Sequence, residues 1–70
     1  MRELTMQEIR QFSCRGGCRK NAVEYFLRNL KKYHSENNAI TVARITARDK
    51  GWNKETADSV VAGIKLAFQR

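Results

Sequence analysis

Residues 21–34, NAVEYFLRNLKKYH, carry the pattern that decides the fold class. Apolar side chains recur there every three or four positions, which is the spacing of one buried face of an α-helix. They are Ala22, Val23, Phe26, Leu27, Leu30 and Tyr33. A rotation of about 100° per residue places Tyr25, Arg28 and Lys32 together on the opposite side. The segment therefore predicts an amphipathic helix that packs against other helices and presents a basic face.

The segment before it predicts a shorter helix over residues 4–12. Thr5 followed by Glu8 has the spacing of a capping box, in which each residue satisfies a backbone N–H of the other. We expect this helix to stop near Ser13 or Cys14, because Gly16-Gly17 is a strong helix breaker. Asn21 is then the expected N-cap of the long helix.

Residues 40–50, ITVARITARDK, are ambiguous between strand and helix. Several β-branched residues suit a strand, but apolar and polar positions do not alternate with the period of two that a half-buried strand requires. The helical interpretation has better boundaries, with Thr41 as N-cap and Gly51 at the C-terminal end. Such a helix would direct Val42 and Ile45 inward and Arg44 and Arg48 outward. We favour helix.

A last helix is predicted over residues 54–69, with Asn53 as its N-cap. Its expected inner stripe is Ala57, Val60, Val61, Ile64 and Phe68. Gly63 lies inside this helix at an intrinsic cost of about 1 kcal/mol relative to alanine, which predicts close packing by a neighbouring side chain. We expect Trp52 to close the core from the preceding turn. Leu66, with Ala62 and Ser59, would form an outer patch suited to a homodimer contact.

These elements predict an all-α protein, a small bundle of four helices that forms a single helical domain over residues 1–70. The last two helices are separated by three or four residues that include a glycine, which is the connection of a helix-turn-helix. Trp52, Ala57 and Val60 fall where that motif has apolar groups, whereas Thr46 and Lys50 are polar at two other such positions. Residues 43–62 thus resemble the helix-turn-helix of small bacterial and phage regulators.

That resemblance implies that the last helix would be the recognition helix in the major groove of DNA. Its first residues would then meet base edges; they are Asn53, Lys54, Glu55, Asp58 and Ser59. Glu55 and Asp58 oppose this assignment, because carboxylates repel phosphates and suit the positive end of a helix dipole. The basic face of residues 10–32 is therefore an alternative contact surface.

The chain has a formal net charge of +7, from 14 lysine and arginine residues against 7 acidic ones. An excess of this kind either serves solubility or concentrates a polyanion at the surface. Residues 10–32 contain seven basic residues and one acid, whereas residues 36–70 contain six basic and four acidic ones. The charge is therefore concentrated in one part of the chain, which favours a binding surface.

Several other classes of function lack support in the sequence. A structural zinc needs four ligands, and the sequence offers only Cys14, Cys18 and His34. We therefore expect free thiols and no metal. A disulfide between the two cysteines, or a zinc shared between two chains, is the alternative. One histidine and no nucleophile–base arrangement predict no enzyme, no catalytic residue and no cofactor. The apolar runs are too short for a membrane span, and the first residues do not read as a secretory signal, so a cytoplasmic location is expected.

Two hypotheses for function remain. The first is a small basic nucleic-acid-binding protein, namely a DNA-binding transcriptional regulator, with RNA as a sub-alternative that lacks any RNA-binding motif. Its predicted contact residues are Tyr25, Arg28, Lys32, Arg44, Arg48 and Lys54. The second is an adaptor or inhibitor that docks its basic face on an acidic surface of a larger protein. The small size would suit a phage- or plasmid-encoded protein under either hypothesis.

Overall fold

The computed structural model describes residues 2–15 and 19–69, and it confirms the all-α fold class. Four α-helices follow one another: α1 (Met6–Arg15), α2 (Lys20–Arg28), α3 (Glu36–Lys50) and α4 (Lys54–Ala67), with a 3₁₀-helix at Leu30–Lys32. The described residues contain no strand, so the strand alternative for residues 40–50 is wrong. None of the helices in this part of the chain is long and apolar enough to cross a membrane.

The capping box at the start of α1 is confirmed. The Glu8 N–H donates to Thr5 Oγ1 over 3.1 Å, and the Thr5 N–H donates to Glu8 Oε1 over 2.9 Å. The helix begins at Met6 rather than Leu4 and continues past the expected stop to Arg15. Ser13 is buried within the helix, where its hydroxyl donates to the Ile9 carbonyl, and this bond lets a polar residue occupy the last inward-facing position.

The long helix predicted over residues 21–34 is divided in the structure. The α-helix begins at Lys20, so Asn21 lies within its first turn and is not the cap. It ends at Arg28 because Asn29 competes for the helical carbonyls: its side-chain Nδ2 donates to Tyr25 O, and its backbone N–H donates to Phe26 O. The 3₁₀-helix follows, and Tyr33 is extended. The apolar face survives this break, since Val23, Phe26, Leu27 and Leu30 are all buried.

Helix α3 begins six residues earlier than predicted. Ser35, not Thr41, is its N-cap, and the Ser35 side chain accepts from the Asn38 N–H over 3.1 Å. The earlier start lengthens the helix to 15 residues. Its buried residues are alanines, Ala39 and Ala43, which allow close approach to α4. Ile45, predicted to face inward, is 55% exposed, because it lies on the side of α3 opposite the two alanines.

The turn between α3 and α4 matches the prediction. Gly51 adopts a left-handed conformation (φ 67°), and its N–H together with that of Trp52 closes the end of α3 on the Ala47 and Arg48 carbonyls. Asn53 then caps α4, with its Oδ1 accepting from the Thr56 N–H over 2.8 Å. The helix ends at Ala67 rather than Gln69.

Helix α4 is the central element, because it packs against α1, α2 and α3. Its buried face is Thr56, Ser59, Val60, Gly63, Ile64 and Ala67. Ser59 is only 5% exposed, so its expected place in an outer patch with Ala62 and Leu66 is wrong. The predicted close packing at Gly63 is confirmed: a Cβ added there would lie 2.6 Å from Leu27 Cδ2. This contact sets the distance between α2 and α4.

Candidate nucleic-acid interface

Three carboxylates in the first half of the chain each hold a cation. The ion pairs are Arg2–Glu8, Lys31–Glu3 and Arg28–Glu24. Arg2, Glu3, Arg28 and Lys31 line one groove of about 220 Å³ near the start of α1. Three positive and three negative charges cancel around this groove. Two of the seven basic residues counted over residues 10–32, Arg28 and Lys31, are therefore paired here, and a polyanion gains less from them than from unpaired cations.

The Arg2–Glu8 pair is the most constrained of the three. Arg2 Nη1 donates to Glu8 Oε1 and Nη2 donates to Oε2, each over 2.9 Å. The hydrogen bond from Arg2, followed by those from the Thr5 N–H and hydroxyl, lowers the pKa of Glu8 to about 2. Glu8 is therefore charged at neutral pH, and Arg2 remains paired with it rather than offering its charge to a ligand.

Arg28 carries a weaker pair, with Nη1 3.7 Å from Glu24 Oε1 and the arginine side chain more than half exposed. Exposed pairs of this kind contribute about 0–1 kcal/mol, so a phosphate can displace the carboxylate. Arg28 nevertheless lines the neutralised groove, whereas Tyr25, its predicted companion, lines a different one. The structure thus separates two of the residues that the helical wheel places together.

Tyr25 and Lys32 do lie together. The Tyr25 ring is 67% exposed, and Lys32 Nζ lies 6.0 Å from its centroid, at the outer limit of a cation–π contact. The break at Asn29 does not separate them, because the 3₁₀-helix keeps Lys32 on the same side of the chain as Tyr25. This pair forms one exposed aromatic and cationic element of the surface.

The outward side of α3 carries the second group of cations. Five exposed residues follow one another along it at helical spacing: Asn37, Thr41, Arg44, Ile45 and Arg48. We call them the α3 stripe. Arg44 and Arg48 are one turn apart, which places their Cβ atoms about 5–6 Å from each other. Neither arginine belongs to an ion pair among the described residues. Asp49 lies on the flank of the stripe and is the acidic residue nearest in sequence to Arg44 and Arg48.

Helix α4 has little surface left for recognition. Its exposed residues are Lys54, Glu55, Asp58 and Lys65, whose charges cancel. Asn53 uses its side chain to cap the helix, and Ser59 is buried, so two of the five predicted base-reading residues are occupied by structural roles. Lys54 is exposed at the start of the helix, with Glu55 next to it in sequence. The placement of α4 therefore weakens its candidacy as the recognition helix.

Sequence reasoning did not single out Lys50 or Trp52 as surface groups. Both line a groove of about 350 Å³ beside Tyr25, together with Thr46. The sequence did contain a sign of this groove, because Thr46 and Lys50 are the two positions that are polar where a helix-turn-helix has apolar groups. In the structure these positions border an open groove instead of a closed core.

Comparison with protein-family models, with characterised proteins and with solved structures finds no match to this chain. A function for this chain is therefore inferred from its residues and their arrangement.

The cysteine region does not add a site within the described residues. Cys14 is exposed at the end of α1, and Cys18 with Gly16-Gly17 lies outside the described residues. The alternatives of thiols, a disulfide or a shared zinc for Cys14 and Cys18 stay predictions. No group of three or more histidine, cysteine, aspartate or glutamate residues suited to a metal occurs in residues 2–15 and 19–69.

Proposed function

We propose that this protein binds nucleic acid, that its partner is DNA, and that it acts as a small transcriptional regulator. The observation that carries the proposal is the α3 stripe, in which Arg44 and Arg48 are exposed on one face and outside the ion pairs of the described residues. Guanidinium groups bind phosphate oxygens well, and each neutralised phosphate releases counterions, which supplies affinity.

The residues of the α3 stripe also have the chemistry of base readers. Arginine pairs with guanine, asparagine with adenine, and an apolar group contacts the thymine methyl in the major groove. Arg44, Arg48, Asn37 and the exposed Ile45 supply these groups on one helix face. We therefore propose α3 rather than α4 as the helix that enters the groove, which reverses the roles implied by the helix-turn-helix resemblance.

The other predicted contacts have supporting places in this arrangement. Tyr25, Lys32 and Lys54 are exposed and would make further phosphate contacts, and Arg28 would do so once Glu24 is displaced. DNA-binding regulators commonly act as dimers. Ala62 and Leu66 are half-buried and line a shallow groove with Phe68, which keeps this patch as the proposed homodimer contact.

The test is fluorescence anisotropy with a labelled random 20-base-pair duplex at about 50 to 200 mM salt. The logarithm of affinity should fall with the logarithm of salt at a slope near −0.9 for each phosphate contacted. Replacing Arg44 and Arg48 together with alanine should make the slope shallower by about 1.8. The matched control is Arg10→Ala with Lys20→Ala, which removes the same charge from exposed positions of α1 and α2 and should change the slope less.

Two outcomes would contradict the proposal. Equal loss of slope in the two double variants would mean that net charge, not the α3 stripe, drives binding. No binding of the wild-type protein at the lowest salt would remove nucleic acid as the partner. That second outcome would favour the docking of the basic face on an acidic protein, and affinity capture with mass spectrometry would follow.

A further inference from the structure

One groove of the molecule combines most of its aromatic side chains with exposed cations. Four of the six aromatic residues in the chain line it: Tyr25, Phe26, Tyr33 and Trp52. Its opposite wall is the C-terminal part of α3, with Thr46 and Lys50. The volume of about 350 Å³ lies within the 300–1,000 Å³ range of small-ligand pockets.

The aromatic rings are arranged around Phe26. Tyr33 stacks on it with centroids 5.4 Å apart and an interplanar angle of 15°, and Trp52 meets it edge-on at 6.2 Å and 80°. Closure of the core explains these three rings, because Phe26 is buried and the others are half-buried against it. It does not explain Tyr25, which is 67% exposed at the rim and shields little apolar surface.

The charged groups at this groove are cations. Lys50 is part of its wall, and Lys32 lies over the Tyr25 ring at its rim. None of the residues lining the groove carries a carboxylate, in contrast to the 220 Å³ groove, whose lining includes Glu3 paired with Lys31. The Trp52 Nε1 is enclosed without a hydrogen-bond acceptor among the described residues. A ligand in the groove would therefore contact the indole ring of Trp52 and not its N–H.

We propose that this groove binds an unpaired nucleotide of a single-stranded nucleic acid, with the base stacked on Tyr25 and the adjoining phosphates at Lys32 and Lys50. The occupant follows from charge complementarity and ring chemistry: an exposed aromatic platform between cations is the arrangement by which proteins hold single strands without sequence preference. The inference deepens the proposed function and rests on it. It adds a site for unstacked bases beside the α3 stripe.

The groove contains its own reporter, because Trp52 is the single tryptophan of the chain. We would titrate the full-length protein with three probes: oligothymidylate of 12 nucleotides, a 12-base-pair duplex and thymidine monophosphate. Trp52 fluorescence and anisotropy of the labelled oligonucleotides would be read together. Binding of the single strand should change Trp52 emission at the same midpoint as the anisotropy.

Variants separate the ring from the charges. Tyr25→Ala should weaken single-strand binding between about 5- and 150-fold, which corresponds to one lost base stack, while Tyr25→Phe keeps the ring and should bind as wild type. Lys50→Ala should make the salt slope for the single strand shallower by about 0.7, and the control Arg10→Ala should not. Helix content by circular dichroism confirms that each variant is folded.

The results separate the groove site from the α3 stripe. Single-strand binding that depends on Tyr25, without duplex binding, supports the groove site and overturns the duplex contact of the α3 stripe. Duplex binding with no single-strand effect on Trp52, or unchanged single-strand affinity in Tyr25→Ala, overturns the groove site and leaves the proposed function intact. Binding of neither oligonucleotide removes both proposals. Thymidine monophosphate binding as tightly as the 12-mer identifies a free-nucleotide pocket and overturns the single-strand assignment.

Discussion

Replacing Gly63 with alanine should destabilise the protein, although alanine is the better helix former. A Cβ at this position would lie 2.6 and 2.8 Å from the two Cδ atoms of Leu27 and 3.3 Å from its Cγ. Leu27 is 3% exposed, so its side chain must shift among buried neighbours to make room. Overpacking of this kind costs about 1–3 kcal/mol. The gain in helix propensity is about 1 kcal/mol, so the expected net loss is about 1 kcal/mol.

The sign should reverse when the contact is removed. Leu27→Ala alone should cost about 2–5 kcal/mol, because it empties a buried site. In that background Gly63→Ala meets no leucine methyl group, and its effect should become stabilising by up to about 1 kcal/mol. Urea unfolding followed by Trp52 fluorescence and by circular dichroism measures the four corners of this double-mutant cycle. If Leu27→Ala is too unstable to measure, Leu27→Val serves as the partial truncation.

Either of two results would contradict a tight contact between Gly63 and Leu27. Gly63→Ala that is more stable than wild type would show that Leu27 relaxes at little cost and that glycine is not required at the α2–α4 contact. An equal effect of Gly63→Ala in both backgrounds, within about 0.3–0.5 kcal/mol, would show that the two positions are not coupled.

Three further predictions concern the turn, the first cap and the tryptophan. Gly51→Ala should cost about 1 kcal/mol by backbone strain alone, because φ is 67° and no atom lies within 4 Å of an added Cβ. Gly51→Asn should cost less, because asparagine tolerates the left-handed conformation better. Equal urea midpoints for the two variants would contradict this difference. Thr5→Ala should cost about 1 kcal/mol by loss of the N-cap. Since the folded pKa of Glu8 is lowered to about 2, the stability from this carboxylate should be present above its ordinary pKa near 4.5 and be lost as pH falls toward 2. Glu8→Gln, which keeps a capping group without the charge, should flatten that part of the pH profile of unfolding, and an unchanged profile would refute the assignment. Trp52→Phe should lower the free energy of unfolding by far less than the 3–5 kcal/mol typical of a tryptophan truncated to alanine. The phenylalanine keeps an aromatic ring in the core and removes an enclosed N–H that has no acceptor among the described residues. A loss as large as that of Trp52→Ala, measured by circular dichroism, would mean that the N–H is satisfied.

The features that could be predicted from the sequence depend on contacts within a few residues. The caps at Thr5 and Asn53 and the left-handed Gly51 each need only a side chain or a φ angle next to a helix end, so the local sequence determines them. The apolar periodicity of residues 22–30 likewise fixed the buried face of α2. The four-helix, all-α class follows from these signals together.

The errors arise where two local signals compete or where packing decides. Both Ser35 and Thr41 can cap a helix, and Ser35 prevails because the longer helix brings Ala39 and Ala43 against α4. Asn29 reads as an ordinary helical residue, yet its side chain ends α2 by bonding to Tyr25 O. The candidate site was predicted only in part. Helical spacing predicted the pairing of Tyr25 with Lys32 and of Arg44 with Arg48. The position of Lys50 in the groove wall could not be predicted in this way, because it depends on the angle between helices.

The order of the helices along the chain has a consequence for biosynthesis. The element at the centre, α4, is also the last of the four to leave the ribosome, and Val60, Ile64 and Ala67 complete the core that α1, α2 and α3 begin. The Ala67 carbonyl also accepts the Arg2 N–H over 2.8 Å, which joins the first described residues to the end of α4. Until α4 emerges, α1 and α2 can contact each other, but the apolar surfaces that α4 covers on α1, α2 and α3 stay exposed. Cooperative folding must therefore wait for translation of α4, and any premature stop before it leaves a product open to aggregation and proteolysis.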